Sequence, residues 1–457
     1  ASQTRQNPLP ELHSPVARPL PTDSKVPAAL PTPSSGLVST PNAHAIRILI
    51  VDDEPINHQV LKNHLRDKRY EVVSAMNGPE AMEILEREPS FAIVLLDVMM
   101  PRMSGYDVCR LIREKYLPSE LPVIMITARN QVNDLVQGLN IGANDYLSKP
   151  FSKDEFLARL STHLNLGEIN RATSRFVPSE FIKTLGHSSI TDVRLGDNIA
   201  REVTVFFSDI RDYTTLSESM NPEENFRFVN AYVRRMGPLI QRHHGFVSQY
   251  LGDGIMGLFQ RSPGDALSAA VAMQKELKSY NLFRSQNGRR PIRVGMGFHT
   301  GPLIMGIIGD EHRSDPAIIA NTVNMASRLE GLTKYFGVNI LLSEVSYGLL
   351  DPAVQADCRF LGLVQVKGKE EPLGIYECFN GDDEQLAQQK KASKAAFAEA
   401  LEPFKAGEMN EAMKKFQAIV SAVPEDLAAR HFFALAVHYA AVGLPEGWKG
   451  VEVMTEK

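Results

Sequence analysis

The stretch VFFSDIRDYT, from Val205 to Thr214, is a β-branched and aromatic run that stops at Ser208 and Asp209, with Arg211 and Asp212 close behind. A carboxylate at the tip of a buried strand gains a chemical use when a second one meets it. Asp253 stands 44 residues later, in LGDGIM. Gly-Asp-Gly between two apolar runs predicts a tight hairpin with that aspartate at its tip. A strand end and a hairpin tip can be neighbours in one antiparallel sheet. Two carboxylates placed so can hold two Mg²⁺ ions, the clamp used for in-line phosphoryl chemistry. Taken alone, each stretch reads equally well as a strand followed by polar residues.

A second set of acids lies nearer the N-terminus. Asp52 and Asp53 follow the strand-like IRILIVDD, Asp97 follows FAIVLLD, Thr127 closes PVIMIT, and Lys149 follows DYLS. Three carboxylates gathered on one edge repel unless a cation joins them, and oxygen ligands suit Mg²⁺. A metal-bound carboxylate beside a lysine and a hydroxyl is a phosphate-accepting site.

Five βα units in about 120 residues, beginning at Ile46, must position that second set. Buried strands alternating with helices predict a doubly wound five-stranded parallel sheet, whose ligands gather at the carboxyl ends of the strands. The first set needs a different scaffold. After Asp209 come a helix (PEENFRFVNAYVRRMGPLIQRHH), the hairpin, and VGMGFHTGPLIMGIIGD, read as a strand pair whose repeated glycines let backbone approach phosphates. The helix NTVNMASRLEG follows, with Asn324 and Arg328 four apart and so on one face. VKGKEEPLGIYEC then closes the sheet, with Lys367 and Lys369 in a loop.

The chain has 457 residues, too many for one core. Residues 1–45 are rich in Pro, Ser and Ala and read as a disordered linker, favouring the back part of a longer protein. Residues 46–166 form the first unit, 167–200 a helical connector with spacing suited to a dimer seam, and 201–380 the second unit. Residues 385–457 form a helical extension that resembles one tetratricopeptide-like repeat and is expected to dock as a cap on the second unit or its dimer mate. A net charge of −5 offers no basic footprint for nucleic acid. No apolar run reaches the ~20 residues of a membrane span, and three scattered cysteines suit a reducing, cytoplasmic setting.

VDDEP, LLDVMMPRMSG, TAR and SKPF stand where a response-regulator receiver domain carries them, and residues 46–166 resemble that family throughout. The resemblance implies Asp97 as phosphoacceptor, Asp52 and Asp53 with Asp97 as ligands of one Mg²⁺, Thr127 and Lys149 as contacts of the phosphoryl oxygens, and Tyr146 as the aromatic switch residue. It also implies an upstream histidine kinase or phosphotransfer protein, in another chain or in the same longer one. A DNA-binding regulator would need a basic recognition helix after the receiver, and none follows.

FSDIRDYT, LGDGIM, HTGPLIMGIIGD, NTVNMASRLE and VKGKEEP arrive in the order and spacing of the class III nucleotidyl cyclase catalytic domain. This second resemblance implies an α+β domain with a ferredoxin-like antiparallel sheet. It implies that Asp209 and Asp253, with the Ile210 carbonyl, hold two Mg²⁺ or Mn²⁺ ions. Arg328 would stabilise transition-state charge, Asn324 would position the ribose, and Lys367 or Lys369 would reach the triphosphate. The metal aspartates come from one subunit of a head-to-tail homodimer, Asn324 and Arg328 from the other. The expected reaction is ATP to cyclic AMP and pyrophosphate. Alternatives are a guanylate or dual-purine cyclase and a low-activity scaffold. The base pocket departs from the family: adenylate-type members usually place Lys, and Asp or Thr, where this chain has Gln249 and Ala317.

Overall fold

The computed structural model describes residues 45–66, 70–88, 90–128, 138–310, 312–366, 371–445, 447–448 and 450–454. The N-terminal linker, most of the helix expected over QVNDLVQGLNIGA, and Lys367 and Lys369 lie outside the described residues.

The first unit is a five-stranded parallel sheet ordered β2-β1-β3-β4-β5, as expected. Its strands are β1 (Ile46–Val51), β2 (Tyr70–Ala75), β3 (Ile93–Asp97), β4 (Val123–Thr127) and β5 (Asp145–Ser148). Each residue of β3 and β4 is buried, which is why their sequences are continuous apolar runs. Helices α1 (Pro55–His64), α2 (Gly78–Arg87), α3 (Gly105–Lys115) and α4 (Lys153–Thr173) cover its faces. A capping box between Ser104 and Asp107 starts α3 directly beyond the Asp97 loop. Helix α4 starts from the Ser152 cap and runs past residue 166, so the receiver's last helix and the first part of the connector are one element. Its Leu164 is in the receiver core, while Leu166 and Ile169 are exposed.

The connector continues through α5 (Ser179–Thr184), whose Phe181 enters the core of the second unit. That unit is built on a nine-stranded sheet ordered β14-β12-β13-β11-β9-β6-β8-β7, with β10 paired to β9. Its first strands are β6 (Asn198–Ile210), β7 (Gly245–Leu251) and β8 (Gly254–Phe259). Then come β9 (Val294–Gly309), β10 (Ser314–Ile319), β11 (Ile340–Ser343), β12 (Cys358–Val366) and β13 (Leu373–Cys378), with β14 (Val451–Met454) last. The expected antiparallel sheet forms its centre, but β9–β11 and β12–β14 pair in parallel. Its helices are α6 (Tyr213–Glu218), α7 (Pro222–Arg242), α8 (Pro263–Gln286), α9 (Asn321–Phe336), α10 (Glu344–Gly348) and α11 (Pro352–Gln355).

The reading of VGMGFHTGPLIMGIIG as a strand pair is wrong: it is the single sixteen-residue strand β9. Its glycines serve packing. A Cβ at Gly297 would fall on the backbone nitrogen of Glu330, and one at Gly295 on the Thr333 hydroxyl, so only glycine lets α9 lie so close to the strand.

The extension forms α12 (Glu384–Ala406), α13 (Met409–Ala422) and α14 (Leu427–Val442), then β14, which adds a strand beside β12. These helices share one apolar core with α9 and the β11–β13 edge, so the extension docks on the second unit of its own chain. Among the described residues no helix is long and apolar enough to cross a membrane.

Candidate active site

Strand β6 lies between β9 and β8, and its last six residues before Asp209 are largely buried, so the chain emerges from the sheet at Asp209 and Ile210. Strands β7 and β8 are joined by the two residues Gly252 and Asp253. Gly252 takes the left-handed conformation, φ +68°, that such a turn requires. Ser208 pairs with Ile255, which sets the hairpin tip against the end of β6. The Ile210 N–H donates to Asp253 Oδ2 at 3.2 Å.

Burial pushes the Asp209 carboxyl up to about 8, and its hydrogen bond with Asp253, the Asp253 charge and the more distant Glu330 charge add to the shift. A half-buried and a buried carboxylate at adjoining strand ends form a hard-oxygen pair that suits a divalent cation. The donor set therefore fits the metals that the sequence implies.

Glu330 was not foreseen. It follows Arg328 by two residues in SRLE, a short acidic signal that looks like the solvated side of a helix. Here it lies over β9 beside Gly295, and burial pushes it up to about 7, with the Asp253 charge raising it and Arg211 opposing. Arg211 is half-buried and donates to the backbone oxygens of Thr333 and Val338, tying the end of β6 to α9. Its own pKa is lowered, first by burial and then by the Arg293 charge.

Asn324 and Arg328 lie on the exposed side of α9. Among the described residues neither side chain makes a hydrogen bond or ion pair, and none joins them to Asp209 or Asp253. Gln249 is exposed on β7, next to a register shift in its pairing with β8. Ala317 is half-buried on β10, paired with Gly306.

In the receiver unit Lys149 Nζ donates to Asp97 Oδ1 at 2.6 Å and to Asp52 Oδ2 at 3.2 Å. Asp52 also accepts from the Asn57 amide and the Glu54 N–H, and Asp97 accepts from the Met99 N–H at 2.7 Å. Burial raises the Asp97 pKa, against the pull of Lys149. Burial would lower Lys149, but its contact with Asp97 outweighs that and the ammonium is held raised. Thr127 is buried at the end of β4, and its carbonyl accepts from the Lys149 N–H at 2.7 Å. Tyr146 is buried, with its hydroxyl donating to that of Tyr106 at 3.0 Å. The expectation of three converging carboxylates is met only in part. Asp52 and Asp97 meet at Lys149, but no group of three metal-competent side chains forms among the described residues.

Residues 48–161 match the response regulator receiver domain model, and residues 197–378 match the adenylate and guanylate cyclase catalytic domain model. An adenylate cyclase of Anabaena cylindrica is 40% identical over 233 residues, covering 50% of this chain and 46% of that protein. The terminal-differentiation-specific adenylate cyclase of Dictyostelium discoideum is 32% identical over 57% of this chain and 12% of its own length. The crystal structure of the adenylyl cyclase CyaB from P. aeruginosa is 32% identical, covering 40% of this chain and 95% of that one, with a TM-score of 0.36. The chain thus spans less than half the length of each of these two curated relatives. It carries a response-regulator receiver domain at residues 48–161 ahead of an adenylate and guanylate cyclase catalytic domain at residues 197–378.

Proposed function

We propose that this chain is a phosphorylation-regulated adenylate cyclase, converting ATP to 3′,5′-cyclic AMP and pyrophosphate in a homodimer. One observation carries the reading: Asp253, at the β7–β8 tip, accepts from the Ile210 N–H beside Asp209, while the Asn324 and Arg328 side chains face outward from the same chain without a partner among its described residues. A site split in this way is completed by a second copy. The exposed Leu166, Ile169 and Phe176 at the end of the receiver are a further apolar surface for that copy.

In this mechanism Asp209, Asp253 and the Ile210 carbonyl would hold two Mg²⁺ or Mn²⁺ ions. When bound, the ions supply charge neutralisation and a lowered pKa for the ribose 3′-hydroxyl. Asn324 of the facing copy orients the ribose so that its oxygen is in line with the α-phosphorus. Arg328 meets the charge that grows on the phosphoryl oxygens as pyrophosphate departs. Lys367 or Lys369 holds the triphosphate. The test is product formation from ATP and from GTP with Mn²⁺; no cyclic nucleotide from either would leave the scaffold reading. Sharing of the site is tested by mixing an Asp209→Ala chain with an Arg328→Ala chain. The mixture regains activity through one intact site per heterodimer, and silence despite demonstrated exchange of chains would refute the sharing.

Regulation runs through Asp97 in this reading, with one Mg²⁺ per receiver and a histidine kinase or phosphotransfer partner as donor. A phosphoryl group adds about −1.5 to −2 charge and draws Lys149 and Thr127 to it. Lys183 of α5 pairs with Glu120 of the receiver at 2.8 Å, and Asn170 donates to the Ser119 carbonyl, so the connector touches the receiver surface that would repack. Asp97→Asn is expected to make activity indifferent to a small-molecule phosphoryl donor, measured as cyclic AMP formation. A retained response would move the regulatory site elsewhere. An ATP-bearing, reducing compartment such as the cytoplasm suits the buried, unbridged Cys109, Cys358 and Cys378.

Purine choice rests on Gln249 and Ala317. Gln carries a donor and an acceptor on a rotatable amide, and so can pair with adenine or, flipped, with guanine; Ala offers nothing to the exocyclic amino group. Discrimination is then below the ~1–3 kcal/mol of a fixed bidentate base reader. Gln249→Lys with Ala317→Thr should raise the ratio of kcat/KM for ATP to that for GTP. A wild-type ratio of several thousand that the double change leaves intact would end the relaxed-pocket reading.

A further inference from the structure

Helix α9 carries Asn324 and Arg328 on its exposed side, and its position is set by what packs behind it. Ala326 faces the core built by Val205 and Met305 of the sheet and Phe181 of the connector. Met325, Leu329, Leu332 and Phe336 face elsewhere, into a core whose other large members, Phe397, Phe404, Phe416 and Phe432 among them, belong to the C-terminal extension. Phe336 stacks on Phe432 with ring centroids 5.9 Å apart, and His431 stands edge-on to Tyr335 at 4.4 Å and to Phe336 at 5.2 Å. Gly337, which ends α9 at φ +69°, lies so close to α14 that a Cβ there would come within 2.6 Å of Leu427 Cβ.

The position of α14 is fixed in turn by buried charge. Asp426 caps it, accepting from the Ala429 N–H at 3.1 Å. The same carboxylate takes both terminal nitrogens of Arg359 on β12, at 2.6 and 2.7 Å. Arg359 Nε donates to Glu377 on β13 at 2.7 Å, and Lys390 of α12 joins Glu377 to Asp382 at 2.6 Å each. All five side chains are buried. An apolar contact tolerates sliding, whereas a two-pronged guanidinium–carboxylate bond fixes direction as well as distance. The order of contacts is therefore Arg359 to Asp426, α14 to Phe336, and α9 to Arg328.

We infer that the C-terminal extension is the positioning element of the catalytic helix: Asp426 and Phe432 hold α9 so that Asn324 and Arg328 meet the metal pair of the facing subunit. The inference rests on the shared-site reading above. Phe336 is eight residues from Arg328, about 12 Å along a helix, so a small tilt at the rear moves the guanidinium. A misplacement of about 1 Å is enough for a 10²-fold loss.

The test uses the full chain and the same mixed dimer. In the pair Asp209→Ala with Arg328→Ala, the intact site takes α9 from the Asp209→Ala chain. Phe432→Leu, which keeps the core filled, is added to one chain or the other. On the chain that donates α9 it should lower kcat about tenfold or more with little change in KM. On the other chain, whose α9 is already inactive, it should leave activity at the level of the mixture without it. Equal losses in both placements, or none in the first, would overturn the inference, because a general loss of stability does not distinguish the two. A second measurement stands apart from the shared site: amide hydrogen exchange across residues 321–336 in the Phe432→Leu and Asp426→Asn homodimers. Faster exchange in α9 with the β6–β8 core unchanged supports the positioning role. Unchanged protection of α9 in both variants overturns it, even if the mixed dimer itself is inactive.

Discussion

Asp209→Ala and Asp253→Ala should each lower turnover by on the order of 10³-fold or more, because in the proposed mechanism each removes a carboxylate that would hold the metals against the substrate. Neither should unfold the protein. Asp209 is held ionised only at the expense of stability: burial first, then its bond to Asp253 and the Asp253 charge, push its carboxyl up to about 8. The sign of the pH effect follows. An unfolded aspartate ionises near 3.8, so between about 4 and about 8 the folded, metal-free protein holds a proton that the unfolded chain has lost. Its stability therefore falls as pH rises through that window, and Mn²⁺ binding there must release the proton. Asp209→Asn should flatten the slope of metal-free melting temperature against pH and abolish the proton release measured by titration calorimetry in two buffers. A mutant that melts much earlier at every pH would show instead that the pair stabilises the fold.

Arg328→Ala should lower kcat by roughly 10²–10³, about 3–4 kcal/mol of transition-state stabilisation, while the melting temperature stays within a degree or two. The residue is exposed and makes no hydrogen bond or ion pair among the described residues, so its loss removes nothing that holds the folded chain. The contrast with Asp426 is instructive. Asp426 is buried and bound by Arg359, and removing one partner of a buried pair leaves the other charge uncompensated. A mutant of Arg328 that lost stability as well as turnover would mean that the guanidinium serves its own subunit.

Much of this could be read along the chain. The five strands of the parallel sheet, the hairpin at Gly252 and Asp253, and the helix bearing Asn324 and Arg328 each announce themselves through local periodicity or turn chemistry. Four features did not, for separate reasons. The glycines of β9 suggested a break or a phosphate loop, because glycine has the same signature whether it turns a chain or makes room for a helix; only the approach of Glu330 to Gly297 decides. Arg359 and Asp426 are 67 residues apart and belong to segments that look unrelated, so their bond is tertiary information. Glu330 resembles any acid on a helix surface until the fold places Asp253 and Arg211 near it. Strand β14 is four residues long, too short for its alternation to stand out, and it forms because β12 offers an open edge.

The burial of Phe181 bears on how such a chain can be recombined. The match to the catalytic domain begins at residue 197, yet Phe181 lies 1% exposed against Val203, Leu303 and Met305, sixteen residues earlier. Helix α4, by contrast, keeps Leu164 in the receiver and ends at Thr173. The seam at which one input module could be exchanged for another is therefore the short stretch 174–178, between the two hydrophobic anchors. A splice made at residue 197 would carry off a piece of the catalytic core with the discarded module, and the transplanted half would begin its life with a hole where Phe181 had been.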